Sequence, residues 1–291
     1  MLRISLVLII CLVAMMLNAQ TVNGSEFIHE TIVEVADFAN VRLEGNIDVY
    51  YTQSENKSIV IRTQKSEHLN NVTYSIEDNT LMIRNVWERK RRFLGITFYH
   101  HIDGSRTERI QVFIESPNIE RLNKSGRGAI TFLGDVDLDK LHFRVSGATI
   151  VEVPNLNVND LEIRSSGSTK ISVSNLTVNN MEMQSSGSAN VNISSLSVND
   201  LGIQSSGSSR VNITGNADNI RVRSSGSANM SLENLISHKV DVAISGSGTV
   251  NVHSTEELNV SSSGSSTVNY RGNPSTNISV SGSGRVRTMR D

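Results

Sequence analysis

The chain has 291 residues, a formal charge of −2 and 4% aromatic residues, a balance far from the basic surface expected of a nucleic-acid binder. Its one cysteine, Cys11, lies in an apolar N-terminal run, so the rest of the chain has no disulfides, thiol chemistry or Cys-based metal sites. Ser, Asn, Thr and Gly are abundant, a mixture that suits polar β-ladders or disorder, and the strict apolar columns described below argue for ladders.

The opening MLRISLVLIICLVAMMLNAQ joins Arg3, an apolar run from Ile4 to Leu17 and the small residue Ala19 ahead of a polar segment. That is the pattern of a secretory signal peptide, and the run is too short for a spanning helix. Cleavage is expected after Ala19, leaving Gln20 first. Cys11 follows Ile10 instead of a small residue and sits mid-run, so a lipid there is not expected. Loss of Arg3 takes the charge from −2 to −3. The sequence predicts export to the periplasm, the outer surface or the medium, with no integral span in the mature chain.

Residues 20–116 read as an N-terminal β region. Short strands are expected at 32–35, 40–43, 46–51, 58–62, 72–76, 80–83 and 109–115, from period-two alternation bounded by turn residues. An insertion at 85–108 interrupts them. It contains the basic run Arg89, Lys90, Arg91 and Arg92, accompanied by Trp87, Phe93, Phe98 and Tyr99. Basic charge beside aromatics suits an anionic glycan or a partner protein. A hairpin covering the end of the sheet accounts for the same residues, and the sequence leaves both readings open. The adjacent His100 and His101 point to opposite faces of a strand and make a poor metal site.

From 117 to 291 a Ser-Gly corner returns about every twenty residues. The glycines are Gly126, Gly147, Gly167, Gly187, Gly207, Gly226, Gly246, Gly264 and Gly282, with spacings of 21, 20, 20, 20, 19, 20, 18 and 18. Apolar columns flank them. Four and six residues after the glycine stand pairs such as Val151 and Val153 or Val191 and Ile193; six and four before it stand pairs such as Leu161 and Ile163 or Leu201 and Ile203. A third pair, Leu156 and Val158, recurs as Leu176 and Val178 and as Leu196 and Val198. Each repeat is three short strands that cannot bury their apolar faces alone, so repeats stack and enclose a common core. The fold class is all-β: a right-handed parallel β-helix with about 20 residues per coil, preceded by less regular strands. Eight or so coils give a rod section about 40 Å long. Glycine is expected to supply corners with φ > 0, and Asn159, Asn179, Asn199 and Asn219 to do similar work. Serines two before the glycine, such as Ser165 and Ser205, share the buried phase and are expected to form a hydroxyl ladder.

The string from Val33 through Asn85, with the Phe38 to Val41 and Gly45 to Val49 starts, and ERIQVFIESPNIERLNKSGRGAI after the insertion, resembles the putative auto-transporter adhesin family with the head GIN domain. The resemblance implies an exported β-helical envelope protein without established catalytic residues. An auto-transporter also needs a C-terminal membrane barrel. The sequence here stops at Asp291, just after an SGSG corner, so a complete auto-transporter is not expected.

Two outward columns of the solenoid are candidates for a site. Three before the glycine lie Arg144, Arg164, Gln184, Gln204 and Arg223; five before it lie Glu162, Glu182, Arg221 and Asp241. They share one outer face and read as a glycan-facing stripe or, the reading the residues favour, as a solvated strand face with cross-strand ion pairs. A second polar column, Ser172, Asn192, Asn212, Ser231, Asn251 and Asn269, reads as a ladder serving the stack. No catalytic, cofactor or metal residues are assigned. The sequence points to a non-enzymatic exported adhesin-like module whose partner is a glycan or an envelope or host surface protein. Its alternatives are a polysaccharide-processing β-helix enzyme and a self-associating envelope scaffold.

Overall fold

The computed structural model describes residues 29–33, 35–85, 87–93, 96–102 and 108–289, with 87–93 and 96–102 described through their backbone. The expected signal peptide, Cys11 included, lies outside these residues. The chain enters as β1 (His29–Val33), β2 (Asn40–Gln53) and β3 (Ser58–Thr63), passes one turn of helix α1 (Ser66–Leu69), and continues as β4 (Val72–Glu77) and β5 (Thr80–Asn85). The insertion forms β6 (Trp87–Phe93) and β7 (Ile96–Ile102) before β8 (Ile110–Ser116) rejoins the body.

The coils follow as β9 (Arg121–Phe132), β10 (Asp135–Ser185), β11 (Ser188–Ser205), β12 (Arg210–Ser224), β13 (Asn229–Ile244), β14 (Thr249–Gly264), β15 (Thr267–Arg271), β16 (Ser275–Gly282) and β17 (Arg285–Thr288). The unusual length of β10 arises because its backbone stays in the ladder through its corners, so one continuous element traverses more than two coils. About eight turns, about 20 residues apart, make up the solenoid.

Stacking is parallel and in register with the sequence columns. Ile171 pairs with Val191, Val191 with Val211, Val211 with Met230, Met230 with Val250 and Val250 with Val268. Every apolar pair that the alternation places inside is buried in the central coils, including Leu156, Val158, Leu161, Ile163, Ile171 and Val173. Period two therefore sorts each strand into a core face and a solvent face, and stacking converts the core face into one continuous column.

The ladder also runs across position 117 into the N-terminal region. β2 lies parallel to β9 with Gly45 opposite Gly126 and Arg42 opposite Asn123, so residues 40–53 form a rung of the same stack. One hydrophobic cluster extends from Val33 to Val268. Its N-terminal part is filled by aromatics, with Tyr51 and Phe132 ring centroids 5.0 Å apart and Phe132 and Phe143 5.7 Å apart. Beyond β2 the parallel order gives way: β8 pairs parallel with β2, β3 antiparallel with β8, and β1 antiparallel with β3. At the other end β16 and β17 pair only with β14 and β15, and the side chains of β16 are exposed.

Two expectations about the corners need correction. Gly126, Gly147, Gly167, Gly264 and Gly282 do adopt positive φ, but Gly187, Gly207, Gly226 and Gly246 do not. At Gly187 the constraint is proximity: a Cβ there would stand 2.6 Å from the Gly167 nitrogen and closer still to its carbonyl oxygen. The asparagines are not left-handed either, since the only such non-glycine residues among those described are Asp78 and Asn79. They ladder from coil to coil instead, with Asn179 Nδ2 donating to Asn159 Oδ1 at 3.0 Å and Asn159 Nδ2 to Asp139 Oδ1 at 2.8 Å. A parallel in-register stack brings identical amides within one strand spacing, where this bond is easier to make than a local turn.

Candidate functional site

The column three residues before the glycine is the wall of a groove. This groove, of about 940 Å³, runs along the coils on the face before the Ser-Gly corners, and Arg144, Arg164, Gln184, Gln204 and Arg223 all line it. The stripe extends beyond the repeat columns, because Arg42 stands three before Gly45 and lines the same groove. The two serines that precede each glycine lie beside it. In the described residues the first turns into the core, as Ser165, Ser205, Ser224 and Ser262 do. The second, as at Ser166 and Ser206, faces solvent.

Backbone groups of this floor are already used. Ser186 N donates to Ser165 O at 3.0 Å, Ser206 N to Ser185 O at 2.9 Å and Ser225 N to Ser205 O at 2.9 Å. Inside the corner the serine ladder is present in part: Ser205 Oγ donates to Ser209 Oγ, which donates to Ser185 Oγ. What the groove offers to a ligand is therefore side-chain guanidinium, amide and hydroxyl groups.

Among the described residues five cationic side chains, Arg42, Lys124, Arg144, Arg164 and Arg223, line the groove against one carboxylate, Glu44. Glu44 is held by Arg42 at 2.8 Å and by Arg84 at 3.0 Å. Arg164 is paired with Glu162. Arg144, Gln184, Gln204 and Arg223 make no side-chain hydrogen bond or salt bridge among the described residues, and all but the half-buried Gln184 are exposed.

The neighbouring column behaves differently. Burial opposes ionisation of Glu162, but the hydrogen bond from His142 at 2.7 Å and the charges of Arg164, His142 and Arg144 outweigh it and hold the carboxyl below its ordinary range. Asp241 accepts from Asn259 Nδ2 at 2.9 Å. The Glu182 carboxylate lies over Gly202, where any Cβ would collide with it. Pairing thus engages Glu162 and Asp241 in this column, while in the groove wall Arg164 and Arg42 are paired and, among the described residues, Arg144, Gln184, Gln204 and Arg223 are not. In the second polar column, Asn212 donates to Asn192 at 2.9 Å and Asn269 to Asn251 at 2.8 Å, a ladder within the stack.

Lys124 occupies the inward position filled by serine in later coils. It is 1% exposed, and its ammonium donates to the carbonyls of Gly45 at 2.7 Å, Ser125 at 3.0 Å and Arg127 at 2.7 Å. Burial pushes its pKa down to about 8, with the Asp48 carboxylate pulling the other way. Asp48 is itself buried, accepts from Ala129 N at 2.9 Å and pairs with Arg109. Sequence reading missed Lys124 and Arg42; their offsets of two and three from Gly126 and Gly45 were the available signal.

Arg89, Lys90, Arg91 and Arg92 fall on β6, with Trp87 and Phe93 at its ends, and Phe98 and Tyr99 on β7. The strands form an antiparallel hairpin with Arg89 opposite His100, Lys90 opposite Tyr99 and Arg91 opposite Phe98, in a two-stranded sheet of its own. Its root is fixed by Asn85, whose Nδ2 donates to Asn46 O at 3.0 Å and Glu108 O at 2.8 Å. Among the described residues no group of three or more His, Cys, Asp or Glu is placed to hold a metal ion, and no helix is long and apolar enough to cross a membrane.

The family model described as putative auto-transporter adhesin, head GIN domain, matches residues 37–214 and 163–274. Solved structures share the architecture. A putative adhesin from Parabacteroides merdae superposes with a TM-score of 0.66 at 20% identity, covering 90% of this chain and 96% of its own. A putative lipid binding protein from Parabacteroides distasonis gives 0.66 at 18% identity, and a putative adhesin from the same organism 0.62 at 19%, each with the same coverage. At these identities the likeness concerns the fold. No curated protein sequence matches the chain.

Proposed function

From the premise that this chain belongs to the putative auto-transporter adhesin, head GIN domain family, we propose that it is an exported, non-enzymatic envelope protein that binds surface material through the groove of its solenoid. The observation that carries the reading is the groove wall: one column of arginine and glutamine, repeated coil after coil, in which Arg144, Gln184, Gln204 and Arg223 make no side-chain hydrogen bond or salt bridge among the described residues. A stripe that served the stack alone would be satisfied by its neighbours, as the asparagine ladders are.

Polysaccharide cleavage is less well supported by the same geometry. Glycoside hydrolysis uses two carboxyl groups facing each other across the substrate, and the one carboxylate that lines this groove among the described residues is neutralised by two arginines. The hairpin's basic run is a second cationic element of the same proposal, presented by a sheet separate from the solenoid's. The test is a glycan array with the purified mature protein, together with assay of the reducing ends released from any glycan that binds. Retention without turnover is the expected result. Turnover, or the absence of binding to every glycan and to envelope fractions, would overturn the proposal.

A further inference from the structure

Resting on the reading of the groove as the contact face, we infer that its ligand is a linear, carboxylate-bearing polysaccharide laid along the coil axis and held at two cationic stations. Arg144 and Arg164 form the first station and Arg223 the second. The two stations stand at the same column position, four coils apart from Arg144 to Arg223, a separation of about 19 Å at the strand spacing of a stacked sheet. Between them the column offers Gln184 and Gln204, neutral amides that can donate to or accept from hydroxyl groups but cannot neutralise acids. The floor adds a row of exposed hydroxyls, Ser166, Ser186, Ser206 and Ser225.

Placing Arg144 next to Arg164 in a stacked column is unfavourable in itself, since like charges facing each other across strands repel. One carboxylate serves both: Glu162 pairs with Arg164 and also feels the charge of Arg144, which makes no salt bridge of its own among the described residues. Arg223 likewise has none. A guanidinium takes a carboxylate through two parallel hydrogen bonds, so an acidic sugar adds a second counter-charge at the first station and supplies one at the second. Other anionic polymers fit less well. An extended peptide binds by adding to a strand edge, and the corner backbone in this floor is already bonded coil to coil. A lipid needs apolar surface for its chains, while of the apolar lining residues Leu43, Val145 and Ile244 are buried in the core and the small Ala243 alone is exposed.

The experiment is titration calorimetry of the mature protein with polygalacturonate, galacturonic acid, dextran, polyglutamate and phosphatidylglycerol vesicles. The expected result is saturable, salt-sensitive binding of polygalacturonate, with the monomer at least about tenfold weaker per site because it cannot bridge both stations. Arg144→Gln with Arg223→Gln should weaken the polymer at least about tenfold at an unchanged melting temperature. Arg285→Gln with Arg287→Gln, which removes the same charge at the far end of the rod, should bind as the parent does. Undiminished binding by the groove variant, or equal loss in both variants, overturns the inference. So does dextran, polyglutamate or the vesicles binding as tightly as the polymer. Binding of dextran in place of polygalacturonate, lost on Gln184→Ala with Gln204→Ala, would refute the acidic ligand yet keep the groove as contact face; failure to bind any glycan refutes the polysaccharide ligand, and failure with envelope fractions as well refutes both.

Discussion

Gly187 shows how one residue type serves two physical purposes at equivalent positions. Gly147 and Gly167 combine positive φ with a corner one coil below too close for a Cβ, whereas at Gly187 the close approach acts without positive φ. Gly187→Val is therefore expected to destabilise the protein by about 3 kcal/mol, through collision with backbone that cannot move without opening the neighbouring coil. Asn192→Thr, on the same coil, loses exposed amide bonds and should cost less than about 1 kcal/mol. Thermal melts of the two variants check the contrast. The glycine period was plain in the sequence, but its cause was not, since spacing alone does not separate a dihedral requirement from a close approach. Lys124 was illegible for a related reason: a charged residue in a serine column looks like surface until the carbonyls around it are seen. Its pKa falls to about 8 on burial, below the 10.5 of the unfolded chain, so between those values the unfolded state binds more protons and stability rises with pH. The gain should reach on the order of 3 kcal/mol. In Lys124→Met this rise should be missing from denaturant midpoints measured across the same pH window.

At the scale of elements, the hairpin β6–β7 and the groove wall invert what the sequence made prominent. The run Arg89 to Arg92 is conspicuous because the charges are adjacent in the chain, yet its strands pair only with each other. The groove's arginines are dispersed about twenty residues apart and become neighbours only when the coils stack. Their shared offset from the glycines was readable, and so was their outward phase. Concavity was not, because period two reports which face a side chain takes and says nothing of how that face curves. Replacing 87–106 by a short turn should leave the melting temperature close to the parent's, since Asn85 and Glu108 can still close the root. A fall of many degrees in a calorimetric scan would show that the hairpin covers part of the solenoid.

For the whole molecule, nearest-neighbour stacking predicts that coils are interchangeable units. Deleting residues 168–187 joins Gly167 to Ser188 and preserves every column, so the variant should fold and melt cooperatively within a few degrees of the parent, as circular dichroism can verify. The same stacking sets the response of the rod to tension. Its first and last described strands lie at opposite edges of the sheet order, and the bonds that join the coils run along the axis between them. A pull on the two ends consequently loads one coil boundary at a time, in the manner of a zip and not of a sheared plate. The terminal coil of β16 and β17, with the least buried side chains, should yield first, and each later coil should release about 65 Å of extended chain. A protein that grips a surface through its groove would then lengthen under load in small equal steps, dissipating force before the grip itself is broken.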